Sequence, residues 1–105
     1  SARVGSIGDN RLGGWYAYRA SKAAQNQLLR TLAVEWKRTH PRACVLLLHP
    51  GTVDTPLSRP FQANVPEDKL FTTEHAARQL LDIVAGTTPV QSGSFLAWDG
   101  SEIAW

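Results

Sequence analysis

An α/β fold built around a parallel sheet is what this 105-residue sequence predicts, on three observations. Strand-like and helix-like segments alternate along the chain, in the order strand end, helix, strand, helix, strand. The run "ACVLLL", residues 43 to 48, is apolar throughout with no alternation, as in a strand covered on both faces. A stretch free of proline and glycine, from about Tyr16 to Thr39, links that run to the upstream strand end and suits a right-handed crossover helix.

Each element has a local reason. "SARV" reads as the tail of a strand, and "GSIGDNRLGG", dense in Gly, Asp and Asn, as the loop after it. In the long helix Ala20, Ala24, Leu28, Thr31, Leu32 and Trp36 recur at three- and four-residue steps, and His40-Pro41 ends it. "HPGTVDTPLSRP" is a Pro/Gly loop, and residues 61 to 71 are irregular with a short turn. "TTEHAARQLLDIVAG" is a second helix, with Thr72 or Thr73 as cap, Glu74 in its first turn and Gly86 as its stop. "SFLAWDGSEIAW" reads as a strand, a turn at Asp99-Gly100 and a short partner strand.

The sheet implied by this order is incomplete. A run such as "ACVLLL" needs strand neighbours on both sides, more than these segments supply, so the pattern predicts half of a domain. The chain has no methionine and starts abruptly at "SARVG", which fits a downstream piece of a longer protein and equally fits processing.

Composition narrows the function classes. With 43% hydrophobic and 19% charged residues the chain is of the soluble globular kind. A net charge of +2 with scattered Lys and Arg argues against nucleic acid. No apolar run approaches the ~20 residues of a membrane span. A single cysteine cannot close an internal disulfide, which suits a reducing, cytoplasmic setting. Cys44, inside the apolar run, is expected to be a small buried hydrophobe. His40, His49 and His75 share no ligand spacing, so no metal is expected. Trp15, Trp36, Trp98 and Trp105 read as packing or interface residues.

The chemistry concentrates in "WYAYRASKAA", residues 15 to 24. Tyr18 and Lys22 are four places apart, hence on one helical face about a turn from each other. An ammonium near a phenol favours its ionised form, as a general acid working near neutral pH requires. A partly buried tyrosine with a solvated lysine is the plain alternative for so short a motif.

"YRASKAA", preceded by "SARVGS" and followed by "ACVLLLHPGTVDT", resembles the short-chain dehydrogenase/reductase family. The string "GSIGDNRLGGWYAYRASKAAQNQLLRTLAVEW" and the closing "DGSEIAW" are similar to its C-factor-like branch, which includes carbonyl reductases of the sniffer type. The resemblance covers nearly the whole chain but only about the second half of the family's fold. It implies a single partial domain over residues 1–105, the C-terminal half of a doubly wound, Rossmann-like parallel sheet without the N-terminal dinucleotide-binding half. By the same resemblance Tyr18 is the acid/base that protonates a carbonyl oxygen, and Lys22 assists it and bonds the nicotinamide ribose. Pro50 and Gly51 shape the turn beside the nicotinamide, Val53 meets the carboxamide through its main chain, and Thr55 bonds the carboxamide or a phosphate. A plain strand-to-helix turn is the alternative for that loop.

The serine departs from the family pattern. The family writes Ser-Ser-x-x-Gly after the strand, with the second serine polarising the substrate carbonyl. Here the stretch is Ser1-Ala2-Arg3-Val4-Gly5, so alanine stands in that place. Ser6, twelve residues before Tyr18, is the candidate catalytic serine and Ser1 the alternative. A loop serine bonding its own backbone is the plain reading.

The glycine-rich phosphate loop of the family occurs nowhere in the chain. The resemblance therefore implies part of an NAD(P)-dependent oxidoreductase acting on a small carbonyl or alcohol, with the isolated chain inactive and binding no cofactor alone. Its alternative is a non-catalytic association fragment, a homo-oligomer packed through the helix at residues 16–39, with an open sheet edge to hide. A small basic nucleic-acid binder is the third reading, and no motif supports it.

Overall fold

The computed structural model describes residues 1–105. Helix α1 runs Tyr16–Thr39, as the proline- and glycine-free stretch predicts, and His40 leaves the helical conformation ahead of Pro41. Strand β1 is Leu47–His49 and strand β2 is Thr52–Val53. Strand β3, Leu70–Phe71, is followed by helix α2, Thr73–Gly86, and strand β4, Phe95–Ala97, comes last. At the start of α2 the Thr72 hydroxyl accepts the His75 N–H at 3.1 Å, and Glu74 faces the positive end of the helix dipole.

The α/β order and the parallel pairing both hold. β1 pairs with β4 in parallel, Leu47 opposite Phe95 and His49 opposite Ala97. β2 pairs with β3 in parallel, a short ladder that the irregular reading of residues 61 to 71 did not contain. After β4 the chain turns at Asp99-Gly100 and returns, with an antiparallel bridge between Leu96 and Glu102. Ala97 N–H then bonds Ser101 O at 2.8 Å and Ile103 N–H bonds Phe95 O at 2.9 Å. The core gathers Leu47, Phe95, Ala97 and Ile103, with Leu29 of α1 and Trp98 packed against it.

Three expectations are corrected. "SARV" is not a strand tail, because Arg3–Gly5 forms a 3₁₀ turn. The apolar run is strand only from Leu47, since residues 43 to 46 have no strand beside them. Val45 is held instead by the Ser92 hydroxyl and by the Gly93 N–H, and Cys44, expected inside, is exposed. Along α1, Ala20, Ala24, Leu28 and Thr31 face outward, with Leu28 71% exposed, while Leu32 and Trp36 are half-buried. The face turned inward runs along Ala23, Asn26, Leu29 and Ala33.

One close approach sets where α1 lies. Gly5 is buried, and a Cβ on it would sit 2.8 Å from both the carbonyl carbon and the Cβ of Lys22. The absence of a side chain lets the first turn lie directly on the helix. Gly5→Ala is expected to cost about 1–3 kcal/mol by overpacking. Leu28→Ala, on the outward face, should stay within about 0.5 kcal/mol. Urea unfolding of the two variants beside the parent chain checks both.

Candidate functional site

A cleft of about 520 Å³ opens where the first residues, the start of α1, the turn after β1 and the loop after β2 meet. Its floor is the turn His49-Pro50-Gly51. Gly51 has φ +79°, and a Cβ there would lie 2.6 Å from Cε2 of Phe71 and 3.0 Å from Cδ1 of Trp98. Glycine is needed twice over, for the left-handed backbone and for the ring pressed against it. Phe71 in turn meets Trp98 edge-on, with centroids 4.9 Å apart, which locks the turn to the end of β4.

Tyr18 lines this cleft, in the first turn of α1. Its carbonyl accepts from the Ser21 hydroxyl, while its phenol has no partner in the chain. Lys22 sits one turn further, half-buried, with Nζ 5.7 Å from the Tyr18 ring centroid and 3.4 Å from Gln25 Oε1. It stands behind Tyr18 and is not itself part of the cleft wall. Pro50, Gly51, Val53 and Thr55 line the same cleft, so the tyrosine and the Pro-Gly turn, far apart in sequence, share one space. Thr55 is tied locally, its N–H donating to Ser58 Oγ at 3.2 Å, and Ser58 donates to Val53 O.

The two serines part company. Ser6 does not reach the cleft: it is 1% exposed, its hydroxyl donates to Ala104 O near the chain end, and it accepts the Asp9 N–H at 3.0 Å. The hydroxyl thus ties Asp9 to the chain end and lies away from the cleft that the expected catalytic role would require. Ser1 does line the cleft, beside Ala2, but its hydroxyl donates to Asn26 Oδ1.

His49 joins the site unannounced by its spacing. The Arg3 backbone N–H donates to its Nδ1 at 3.1 Å, which puts the proton of the neutral ring on Nε2. Burial, then the Arg3 cation, then the amino terminus push its pKa down to about 4. The ring is thus a neutral N–H donor at physiological pH. The available sequence signal was its place just before Pro-Gly at the carboxyl end of a parallel strand, where α/β folds bind ligands. Trp15 and Phe61, also on the cleft wall, were read as packing and as loop.

No group of His, Cys, Asp and Glu in the chain could hold a metal, and no helix is long and apolar enough to cross a membrane.

The His49 shift carries a pH dependence whose sign is fixed. The folded value, about 4, lies below the free value near 6.5, so the unfolded chain takes up the proton first. The stabilisation is complete above pH ~6.5 and falls as the pH drops toward 4, by about 3 kcal/mol at most. His49→Asn keeps an acceptor for Arg3 N–H and should flatten the stability difference between pH 7 and pH 4, read from urea midpoints of the two proteins.

The pattern of the short chain dehydrogenase family matches residues 4–66. Among curated relatives, a 1-hydroxy-2-glutathionyl-2-methyl-3-butene dehydrogenase of a Rhodococcus strain is 41% identical over 105 residues, all of this chain and 44% of that protein. Two solved structures superpose over the whole chain at 30% identity. The carbonyl reductase Sniffer of D. melanogaster does so with TM-score 0.83 over 39% of its length. An NADPH-bound carbonyl reductase from chicken fatty liver does so with TM-score 0.82 over 40% of its length. The chain spans less than half of each of these proteins. Matched over more than half its residues by the family pattern and along its whole length by these structures, the chain belongs to the short-chain dehydrogenase family.

Proposed function

We propose that this chain carries the acid/base half of an NAD(P)-dependent oxidoreductase that reduces a small carbonyl compound or oxidises the corresponding alcohol. One observation carries the reading: Tyr18 and the Pro50–Thr55 turn line one cleft. The residues present suit the nicotinamide and ribose end of the cofactor. Backbone of the Pro50–Thr55 turn and the Tyr18 phenol, which has no partner in the chain, line the same cleft. The pyrophosphate end has no glycine-rich loop in this sequence to hold it.

In this reading Tyr18 gives its phenolic proton to the carbonyl oxygen as the adjacent carbon is reduced, and takes it back when an alcohol is oxidised. The Lys22 ammonium behind the ring would stabilise the phenolate left after transfer and would be the residue to bond the nicotinamide ribose. Pro50, Gly51 and the main chain of Val53 present the turn to the carboxamide, with Thr55 beside them. When bound, the reduced cofactor supplies the hydride. Neither Ser1 nor Ser6 offers a free hydroxyl, so the His49 Nε2–H and the unpaired Thr52 hydroxyl are the neutral donors left to polarise the carbonyl.

The test uses a cofactor fragment that needs no pyrophosphate loop. Reduced nicotinamide mononucleotide should shift the backbone amide signals of Gly51, Thr52 and Val53 in nitrogen-15 NMR spectra, and NADPH should bind no tighter. Tyr18→Phe should leave that binding intact and lower any carbonyl reduction by about 10²–10⁴-fold. Undisturbed signals at millimolar mononucleotide would refute the reading.

A second reading, a non-catalytic association fragment, is favoured by the outward row of α1 that ends in exposed Leu28 and Val34. Sedimentation mass at micromolar concentration decides it, a monomer counting against.

A further inference from the structure

The approach to the cleft is walled by two rings from opposite sides. Trp15 comes from the residue that caps α1, and Phe61 from the 3₁₀ turn Arg59–Phe61. Their centroids are 5.7 Å apart with planes at 74°, one ring presenting its edge to the face of the other. Both are more than half exposed, at 54% and 56%, an arrangement that leaves apolar surface at the cleft mouth. Leu57 and Val65 flank them on the same wall.

Trp15 is held there against its own backbone preference. Gly13, Gly14 and Trp15 are consecutive left-handed residues, with φ of 68°, 72° and 51°. Glycine adopts that region freely, whereas a bulky aromatic residue there is an outlier that its surroundings must enforce. The enforcement is visible. Arg19 Nε donates to Gly14 O at 2.9 Å, Nη2 to Gly13 O at 3.1 Å and Nη1 to Val4 O at 3.3 Å. From the other side, Asn10 Oδ1 accepts the Gly13 N–H at 3.1 Å. One guanidinium fork therefore ties the turn to the first segment of the chain, and the side chain of Trp15 is delivered to the cleft wall.

We propose that Trp15 and Phe61 are an aromatic jaw that takes a planar aromatic group of the substrate, with Arg19 as the residue that positions it. Two rings set edge to face offer a third ring both an edge and a face, the arrangement in which aromatic quadrupoles attract. The one charged side chain of the cleft lining, Arg3, is paired with Asp9 at 3.4 Å, so the group the rings take is uncharged as well as flat. Saturated groups of the same size meet the same apolar surface without that extra term. The identity of the cargo as a carbonyl compound rests on the function proposed above, but the ring preference does not.

Paired probes test it. Acetophenone and cyclohexyl methyl ketone, which differ in the ring alone, are titrated into the nitrogen-15-labelled 105-residue chain without cofactor. The Trp15 indole N–H, assigned by its loss in W15F, is followed. Acetophenone should shift it saturably and bind about five-fold tighter than the cyclohexyl ketone. W15L and F61L should each erase that preference, and if W15L fails to fold, F61L reads the jaw from the loop side. R19Q should abolish the Trp15–Phe61 ring-to-ring NOE and the preference together, with helical circular dichroism unchanged. Equal affinity for the two ketones, no binding of either, or a preference that survives F61L would overturn the jaw. The readout uses neither cofactor nor turnover. Failure of the nicotinamide mononucleotide to bind would thus sink the oxidoreductase reading alone, while lost ring preference with intact mononucleotide binding would sink the jaw alone.

Discussion

β1 and β4 run in the same direction, and the placement of the chemical groups depends on that pairing. Parallel alignment of Leu47 with Phe95 and of His49 with Ala97 buries the apolar side chains of both strands against Ile103 and Leu29. It also carries both carboxyl ends to the same side of the sheet, where α/β folds open their ligand sites. For β1 that end is His49-Pro50-Gly51, and for β4 it leads to Trp98, whose ring meets Phe71 behind the turn. The first residues of the chain are drawn to the same place by two bonds. The Ser1 amino group donates to Leu48 O, and the Arg3 N–H donates to His49 Nδ1.

Steric allowance then decides how closely the pieces meet. The first turn rests on α1 because Gly5 has no side chain to hold them apart, and the Pro-Gly turn rests on Phe71 for the same reason at Gly51. Tyr18 reaches the cleft because its helix is seated this closely. A helix pushed outward by a single methyl would carry Tyr18 away from the turn it shares the cleft with. Several hydroxyls around the cleft are already bonded within the chain. Ser1 bonds Asn26, and Thr55, Ser58 and Val53 bond one another. Among the groups left without a partner are the Tyr18 phenol and the His49 Nε2–H.

Legibility followed the range of the interactions involved. The helix from Tyr16 to Thr39, the Thr72 cap, the Asp99-Gly100 turn and the parallel character of "ACVLLL" are written in neighbouring residues, and the fold follows them. The limits of β1 were not so written. A strand exists only where a partner supplies its ladder, and Ala43 to Leu46 have none, which also leaves Cys44 in solvent. The inward face of α1 was not so written either, because alanines mark a period without marking a side. Of the residues singled out by spacing and family resemblance, Tyr18, Pro50, Gly51, Val53 and Thr55 come together on one cleft, with Lys22 a turn behind. Ser6 does not join them, since its distance from Tyr18 in sequence says nothing of the carbonyls of Ala104 and Trp105 that claim it. His49, Trp15 and Phe61 escaped for the complementary reason: each acquires its role from a residue remote in sequence, Arg3 for the first, and the other ring for each of the last two.

The sequence by itself determined the α/β order, the helix limits, the turn chemistry and the tyrosine–lysine spacing, because propensity, capping and i,i+4 geometry act within a few residues. Tertiary structure alone decided which serine meets the cleft, that His49 is neutral with its proton on Nε2, and that Trp15 is forced into a left-handed conformation to face Phe61. Those outcomes depend on burial, on who donates to whom across 46 residues from Arg3 to His49, and on where a fold leaves room. Local sequence sets none of these quantities, since each is a property of two segments brought into contact.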